Sequence, residues 1–246
     1  MIKIGIISAM QEEIQALLNE LKNVTTTEKG MRTYFSGTLF NKKVVLVFSR
    51  WGKVASAVTT TQLINDFDVD EIIFTGVAGA INSKLNIGDI VLGKNLYQHD
   101  MDASPLFEKF EIPILRKKYL ETSNTKQLLK AANNFLNSYH QFITVHDALK
   151  FQITQPKVIE GDIASGDQFI SSIEKIKQLN NWLPSACCVE MEGAAVAQVC
   201  YEYQIPFSII RIISDKANDN ATIDFPKFAN TIASHYALGI LKNYFA

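Results

Sequence analysis

A β-branched, apolar stretch at 2–8 is followed by Ile14, Leu17, Leu18 and Leu21 at helical spacing, which predicts a strand and then a helix over 12–22. Gly37 and Asn41 punctuate two neighbouring strands at 31–38 and 43–49, and a helix is expected over 52–67. The buried-type strand 72–75 runs into the turn Gly76-Val77-Ala78-Gly79, whose small residues suit either close approach of a ligand to backbone N–H groups or simply a tight turn, and 89–97 offers another strand. The stretch 99–123 holds two prolines and mixed charge, so it reads as a long functional loop with some local helix. Beyond it lie helices at 124–138 and 171–180, with a strand at 157–164 that ends in Ser165-Gly166-Asp167. The last third gives a strand at 186–189, a small-residue helix at 192–203, a strand at 207–213 and one long closing helix at 225–245. Alternating strands and helices imply an α/β fold with a mostly parallel sheet covered on both faces and functional groups gathered at strand ends. No repeat or low-complexity linker divides the chain, so residues 1–246 are read as a single domain.

Composition narrows the function. Hydrophobic residues make up 47% and charged residues 20% of the chain, enough for a filled core. The formal net charge of -1, with no block of one sign, gives no electrostatic surface for nucleic acid or an acidic membrane and favours a small diffusible substrate. The N-terminal apolar run is too short for a signal peptide and no segment is long and uncharged enough to span a bilayer, so a cytoplasmic protein is expected. Cys187, Cys188 and Cys200 suit reduced core thiols, and the histidines at 99, 140, 146 and 235 form no metal motif with them.

Three acidic clusters fall where strands are expected to end: Glu12-Glu13, Glu190-Met191-Glu192 and Asp215. Breaking a C–N glycosidic bond needs a proton for the departing base, stabilisation of an oxocarbenium-like sugar and a base to activate water, tasks that three carboxylates can divide. Each cluster also has a plain structural reading. Glu12 and Glu13 suit a helix N-terminus, where the macrodipole stabilises anions by roughly 0.3–1 kcal/mol. Asp215 suits a cap or turn, and Glu190 and Glu192 suit a helix start. Against that stands Glu-Met-Glu wedged between an apolar strand and Gly193-Ala194-Ala195, where burial makes an unpaired charge costly. Arg211, inside the apolar run 209–213, likewise needs a carboxylate partner. His99 with Asp100 and Asp102 reads as loop structure, and Phe169 as either a core aromatic or a stacking platform.

Five motifs in order, Gly5-Ile6-Ile7-Ser8-Ala9-Met10-Gln11-Glu12-Glu13, Thr75-Gly76-Val77-Ala78-Gly79, Ser165-Gly166-Asp167-Gln168-Phe169, Val189-Glu190-Met191-Glu192-Gly193-Ala194-Ala195 and Arg211-Ile212-Ile213-Ser214-Asp215, resemble the 5′-methylthioadenosine/S-adenosylhomocysteine nucleosidases nearly end to end. The resemblance implies a nucleoside phosphorylase-type fold, one α/β domain around a central, partly barrel-like mixed sheet flanked by helices, working as a homodimer without cofactor or metal. It implies hydrolysis of methylthioadenosine and S-adenosylhomocysteine to adenine and the thio-substituted ribose. By the same resemblance Glu13 activates water and Asp215 protonates adenine N7, positioned by Ser214. Glu192 and Met191 hold the ribose, Phe169 stacks on the base and the backbone of Ile170 reads its edge. Ala78 and Gly79 line sugar and base, and Arg211 orders Glu13, Glu192 and the water. Phe107, with Ala103, resembles the loop segment that enters the partner's 5′ pocket.

The chain departs from the common pattern in Ser49-Arg50-Trp51-Gly52-Lys53, where Trp51 replaces a smaller apolar residue, in Val77 where many members carry serine, and in a loop between Asp102 and Phe107 that is one residue longer. Trp51 is expected to favour a compact apolar 5′ tail over a charged one. Two other reactions fit the same fold: cleavage of aminodeoxyfutalosine, and phosphorolysis of a purine nucleoside. Phosphorolysis needs cationic or backbone contacts for phosphate, whereas arginine occurs only at 32, 50, 116 and 211, so hydrolysis is favoured.

Overall fold

In the computed structural model, which describes residues 2–123, 125–218 and 221–246, the first strand β1 (Lys3–Ser8) leads through a single 3-10 turn at Gln11–Glu13 into the short helix α1 (Gln15–Glu20). The helix expected over 12–22 is therefore broken, because Glu13 turns inward before α1 begins. Strands β2 (Lys22–Lys29), β3 (Arg32–Leu39) and β4 (Lys42–Phe48) form two successive hairpins. Each turns on two residues of positive φ, Gly30-Met31 and Phe40-Asn41, whose twist matches that of paired strands. β2 has no counterpart in the hydrophobic pattern because every one of its residues is exposed.

Helix α2 (Lys53–Phe67) returns the chain to β5 (Glu71–Ala80), followed by β6 (Ile90–Gln98). β5 does not end in a turn at Gly76: the Gly-Val-Ala-Gly segment stays extended and paired, in register with 211–215. The 99–119 segment contains turns and a single bridge between Ile112 and Lys117 rather than helix, and leads to β7 (Leu120–Glu121). Then come α3 (Thr125–Leu136), whose expected start at Asn124 lies outside the described residues, α4 (Val145–Lys150), β8 (Val158–Ser165), α5 (Ile173–Trp182), β9 (Ala186–Glu190), α6 (Gly193–Tyr203) and β10 (Phe207–Asp215). The closing helix starts earlier than expected, as α7 (Ala221–Phe228), and passes through a wider π turn at Ala229–Ala233 into α8 (Ser234–Phe245). Pro226 inside α7 removes one helical donor just before the helix widens.

The sheet is mixed, not mostly parallel. β5, β10, β6, β8 and β9 pair in a ring, closed by the antiparallel β9–β5 contact, and make a five-stranded barrel. β1 adds parallel to β5 and carries β4, β3 and β2 outward as a wing. Both faces are covered. Ile4, Ile6, Val44 and Leu46 pack into one apolar cluster with α3 and α8, while Ile7, Val45 and Val47 pack into the other with α2 and α6, the period-2 alternation of a doubly buried sheet. Cys187, Cys188 and Cys200 are free and buried in that second layer.

Candidate active site

The C-terminal ends of β1, β5, β9 and β10 converge, and each delivers one part of a single cavity of about 570 Å³ of empty space including its mouth. The β1 end supplies Glu13, whose carboxylate is 2% exposed. Its Oε2 accepts the backbone N–H groups of Ala9 (2.9 Å) and Met10 (3.0 Å), and its Oε1 accepts that of Val77 (2.9 Å). The acid closes the turn that starts the helix and also faces the cavity. Glu12 beside it is exposed. Burial pushes the Glu13 carboxyl above its ordinary value, opposed by the Arg211 charge and the three N–H donors.

Two glycines of β5 make room for the carboxylates. A Cβ on Gly76 would sit 2.7 Å from Glu13 Oε1, and one on Gly79 would sit 2.9 Å from Asp215 Oδ1. The signal carried by Gly-Val-Ala-Gly is thus close packing of acid against backbone, rather than turn geometry.

On β10, the register with β5 slips between Ile213 and Asp215, a bulge that turns both Ser214 and Asp215 toward the cavity although they are adjacent in sequence. The Ser214 hydroxyl donates to Asp215 Oδ2 at 2.7 Å, and the Ala217 N–H donates to Oδ1 at 2.7 Å, so the carboxyl plane is fixed.

At the β9 end Glu190 and Glu192 separate into two roles. Glu190 accepts from Arg211 Nη2 at 2.5 Å, from the Ser165 hydroxyl, and from the N–H groups of Glu192 (3.0 Å) and Gly193 (2.8 Å). Burial raises its carboxyl, but the adjacent guanidinium and these donors outweigh burial and hold it below its ordinary value. Among the described residues the Glu192 carboxyl has one donor, the Gly52 N–H at 2.8 Å. Burial first, and the neighbouring Glu190 charge second, push its carboxyl up to about 8.

Arg211 departs from expectation. It is 1% exposed, lies over the Phe74 ring at 4.1 Å, and does not reach the cavity wall. Its ion pair goes to Glu190, so it acts on Glu13 and Glu192 through its charge alone. Burial is the main reason that Glu13 and Glu192 hold their protons more tightly than free carboxyls, and the single guanidinium, paired with Glu190, offsets it only in part.

The outer wall is aromatic. Phe169 and Ile170, after β8, and Met191, after β9, line the cavity with Ala78 and Gly79 opposite. Phe169 is 41% exposed and meets Phe225 edge-on at 5.8 Å, and Trp51, 56% exposed, meets the same Phe225 at 6.1 Å. Phe225 was not legible as a site residue, since it is one more aromatic in an amphipathic helix. Phe107 and Ala103 lie in the 99–119 segment, away from this cavity. His99 is buried with its ring against Gly166.

Residues 3–246 match the sequence profile of the phosphorylase superfamily. The chain belongs to that family. Within it, a 5′-methylthioadenosine/S-adenosylhomocysteine nucleosidase of Staphylococcus aureus (strain bovine RF122 / ET3-1) is 36% identical over 231 residues, covering 94% of this chain and 93% of that one. The solved 5′-methylthioadenosine/S-adenosylhomocysteine nucleosidase of Colwellia psychrerythraea, in complex with adenine, is 31% identical with a TM-score of 0.86 over 99% of this chain and 94% of its own. The futalosine hydrolase of Helicobacter pylori is 33% identical with a TM-score of 0.84 over 99% and 97%.

Proposed function

We propose that this chain hydrolyses the N-glycosidic bond of 5′-methylthioadenosine and S-adenosylhomocysteine, releasing adenine and the 5-thio-substituted ribose. The observation that carries the reading is the make-up of the cavity wall: Glu13, Glu190, Glu192 and Asp215 line it, and no lysine, arginine or histidine does so among the described residues. A wall without a cation offers phosphate no counter-charge and leaves the position at C1′ to water, which separates hydrolysis from phosphorolysis on the same fold. The kinship with nucleosidases of the phosphorylase superfamily supports the same choice.

In the proposed reaction adenine stacks on Phe169 with its edge at the backbone of Ile170, and the ribose lies against Met191 with its hydroxyls on Glu192. Asp215 gives a proton to adenine N7, so the base departs neutral as the C1′–N9 bond breaks. The sugar carries the resulting positive charge next to a cavity rich in carboxylates. Glu13 takes a proton from water as its oxygen bonds C1′, and solvent exchange returns both acids to their starting state. A raised Glu13 carboxyl is a stronger base than an ordinary one, which suits proton abstraction near neutral pH. The chain works as a homodimer in this reading. Leu106 (84% exposed), Ile114 (90%) and Val54 (76%) leave apolar side chains bare around the 99–119 segment and the start of α2, and Phe107 would enter the partner's 5′ pocket from there. The likeness to futalosine hydrolase supports aminodeoxyfutalosine as an alternative substrate with the same bond to cut.

Glu13→Gln and Asp215→Asn keep shape and remove the proton acceptor and donor. Each is expected to lower kcat for adenine release by about 10²–10⁴-fold. Wild-type turnover in either variant would overturn the assignment.

A further inference from the structure

Three strand-end loops meet outside the cavity in a closed ring of polar contacts. The Lys53 ammonium donates to Asp100 Oδ1 at 2.6 Å, and the Asp167 N–H donates to Asp100 Oδ2 at 2.9 Å. The Lys53 N–H closes the ring on Asp167 Oδ1 at 2.8 Å. The Lys53 and Asp100 side chains are only 17% and 18% exposed, so the ion pair is screened less than a surface pair. The ammonium also reaches Gln98 Oε1 at 3.2 Å, and Gln98 in turn donates to Gln198 on α6 at 2.7 Å, which anchors the ring to the body of the fold.

What the ring joins gives it consequence. Lys53 opens α2 directly after Trp51, which lines the cavity, and Gly52, which donates to Glu192. Asp167 stands one residue before Gln168 and Phe169, both of the cavity wall. Asp100 touches neither wall, yet its two oxygens bridge the loop that orients Glu192 to the loop that carries Phe169.

We propose that Lys53, Asp100 and Asp167 form a clasp that positions the base-stacking loop and the sugar-holding loop relative to each other, and so sets nucleoside affinity without touching the nucleoside. The inference rests on the reading of the cavity as a nucleoside site. Glu13 and Asp215 hang from β1 and β10 and are held by their own contacts, so the clasp governs binding more than bond cleavage. Asp100 is the keystone, because replacing it cuts two of the three links at once.

The test compares Asp100→Ala, Lys53→Met and the conservative Lys53→Arg with wild type in kcat and KM for methylthioadenosine, the inhibition constant of adenine, Tm, and amide hydrogen exchange at Gly52. Asp100→Ala and Lys53→Met are expected to raise KM and the adenine constant about tenfold, a shift of about 1.4 kcal/mol, with kcat within about threefold. Lys53→Arg should recover most of the loss. Gly52 exchange should accelerate roughly tenfold in Asp100→Ala, although its acceptor Glu192 is untouched. Unchanged KM with a lowered Tm would overturn the clasp, as would a loss confined to kcat or an unaltered Gly52 amide. If wild type itself releases no adenine, the nucleoside reading fails, while the exchange measurement still decides whether the two loops are coupled.

Discussion

Gly76→Ala tests the packing of the water-activating acid without changing any group that does chemistry. The added Cβ would stand 2.7 Å from Glu13 Oε1 and 3.0 Å from Arg211 Nη1, where ordinary contact begins at 3.4 Å, so the carboxylate oxygen must withdraw by about 0.7 Å. It has little freedom to do so. Three backbone N–H groups hold the carboxylate, and Arg211 is held in turn by Glu190. Withdrawal stretches the 2.9 Å bond from the Val77 N–H and displaces the base from the water it must activate. Since a misplacement of about 1 Å costs roughly 100-fold in rate, kcat should fall about 10- to 100-fold, equivalent to about 1.4–2.7 kcal/mol of activation free energy. Overpacking adds a stability cost of about 1–3 kcal/mol, visible as a Tm lowered by roughly 2–4 °C for each kcal/mol. Initial rates of adenine release at saturating methylthioadenosine, well below Tm, separate the two effects. KM should stay within about threefold, because Phe169, Ile170 and Glu192 are not displaced. A kcat within twofold of wild type would refute the placement of Glu13 as the base.

Glu192→Gln should flatten the dependence of stability on pH. Its carboxyl, ordinarily at 4.5, is pushed up to about 8, so the folded chain keeps a proton that the unfolded chain loses. Wild-type stability is then fully present below 4.5 and declines as pH rises toward 8, whereas the amide has no proton to lose. Tm measured from acid to mildly alkaline pH checks this, and parallel profiles for the two proteins would count against it. Trp51→Ile should raise kcat/KM for S-adenosylhomocysteine relative to methylthioadenosine by roughly tenfold, because it removes the indole wall braced on Phe225. Wild type should accordingly prefer methylthioadenosine, and equal kcat/KM for the two substrates would contradict the role given to Trp51.

Most helices and buried strands were legible because their apolar residues repeat at the period of the element: β1, β4, α2, β6, β8 and β10 lie within a residue or two of the positions that the pattern predicts. β2 was invisible for the opposite reason, having no buried face to leave a pattern. Alternation of strands and helices pointed to a mostly parallel sheet because parallel and antiparallel strands buried on both faces look alike in sequence, whereas the resemblance to the nucleosidases gave the mixed, partly barrel-like sheet that the fold has. The Gly-Val-Ala-Gly segment was read as a turn because glycine signals a turn more often than a strand that must let a carboxylate approach.

In the site, the acids stood out through their position at strand ends, and the need of Arg211 for a carboxylate was visible from its apolar strand. Which carboxylate it takes was not, because Glu190 and Glu192 differ only in the direction their strand end gives them. The bulge at Ser214, which aims Asp215 into the cavity, leaves no mark in the sequence. The same holds for the clasp, whose members lie in three loops that only the fold brings together.

The most direct test of hydrolysis is to incubate the purified chain with methylthioadenosine in phosphate-free buffer, repeat with inorganic phosphate, and resolve the sugar product by mass. Equal rates of adenine release with free methylthioribose as the product are expected under both conditions. Release that depends on phosphate, with methylthioribose-1-phosphate as the product, would contradict a cavity walled by carboxylates without a cation.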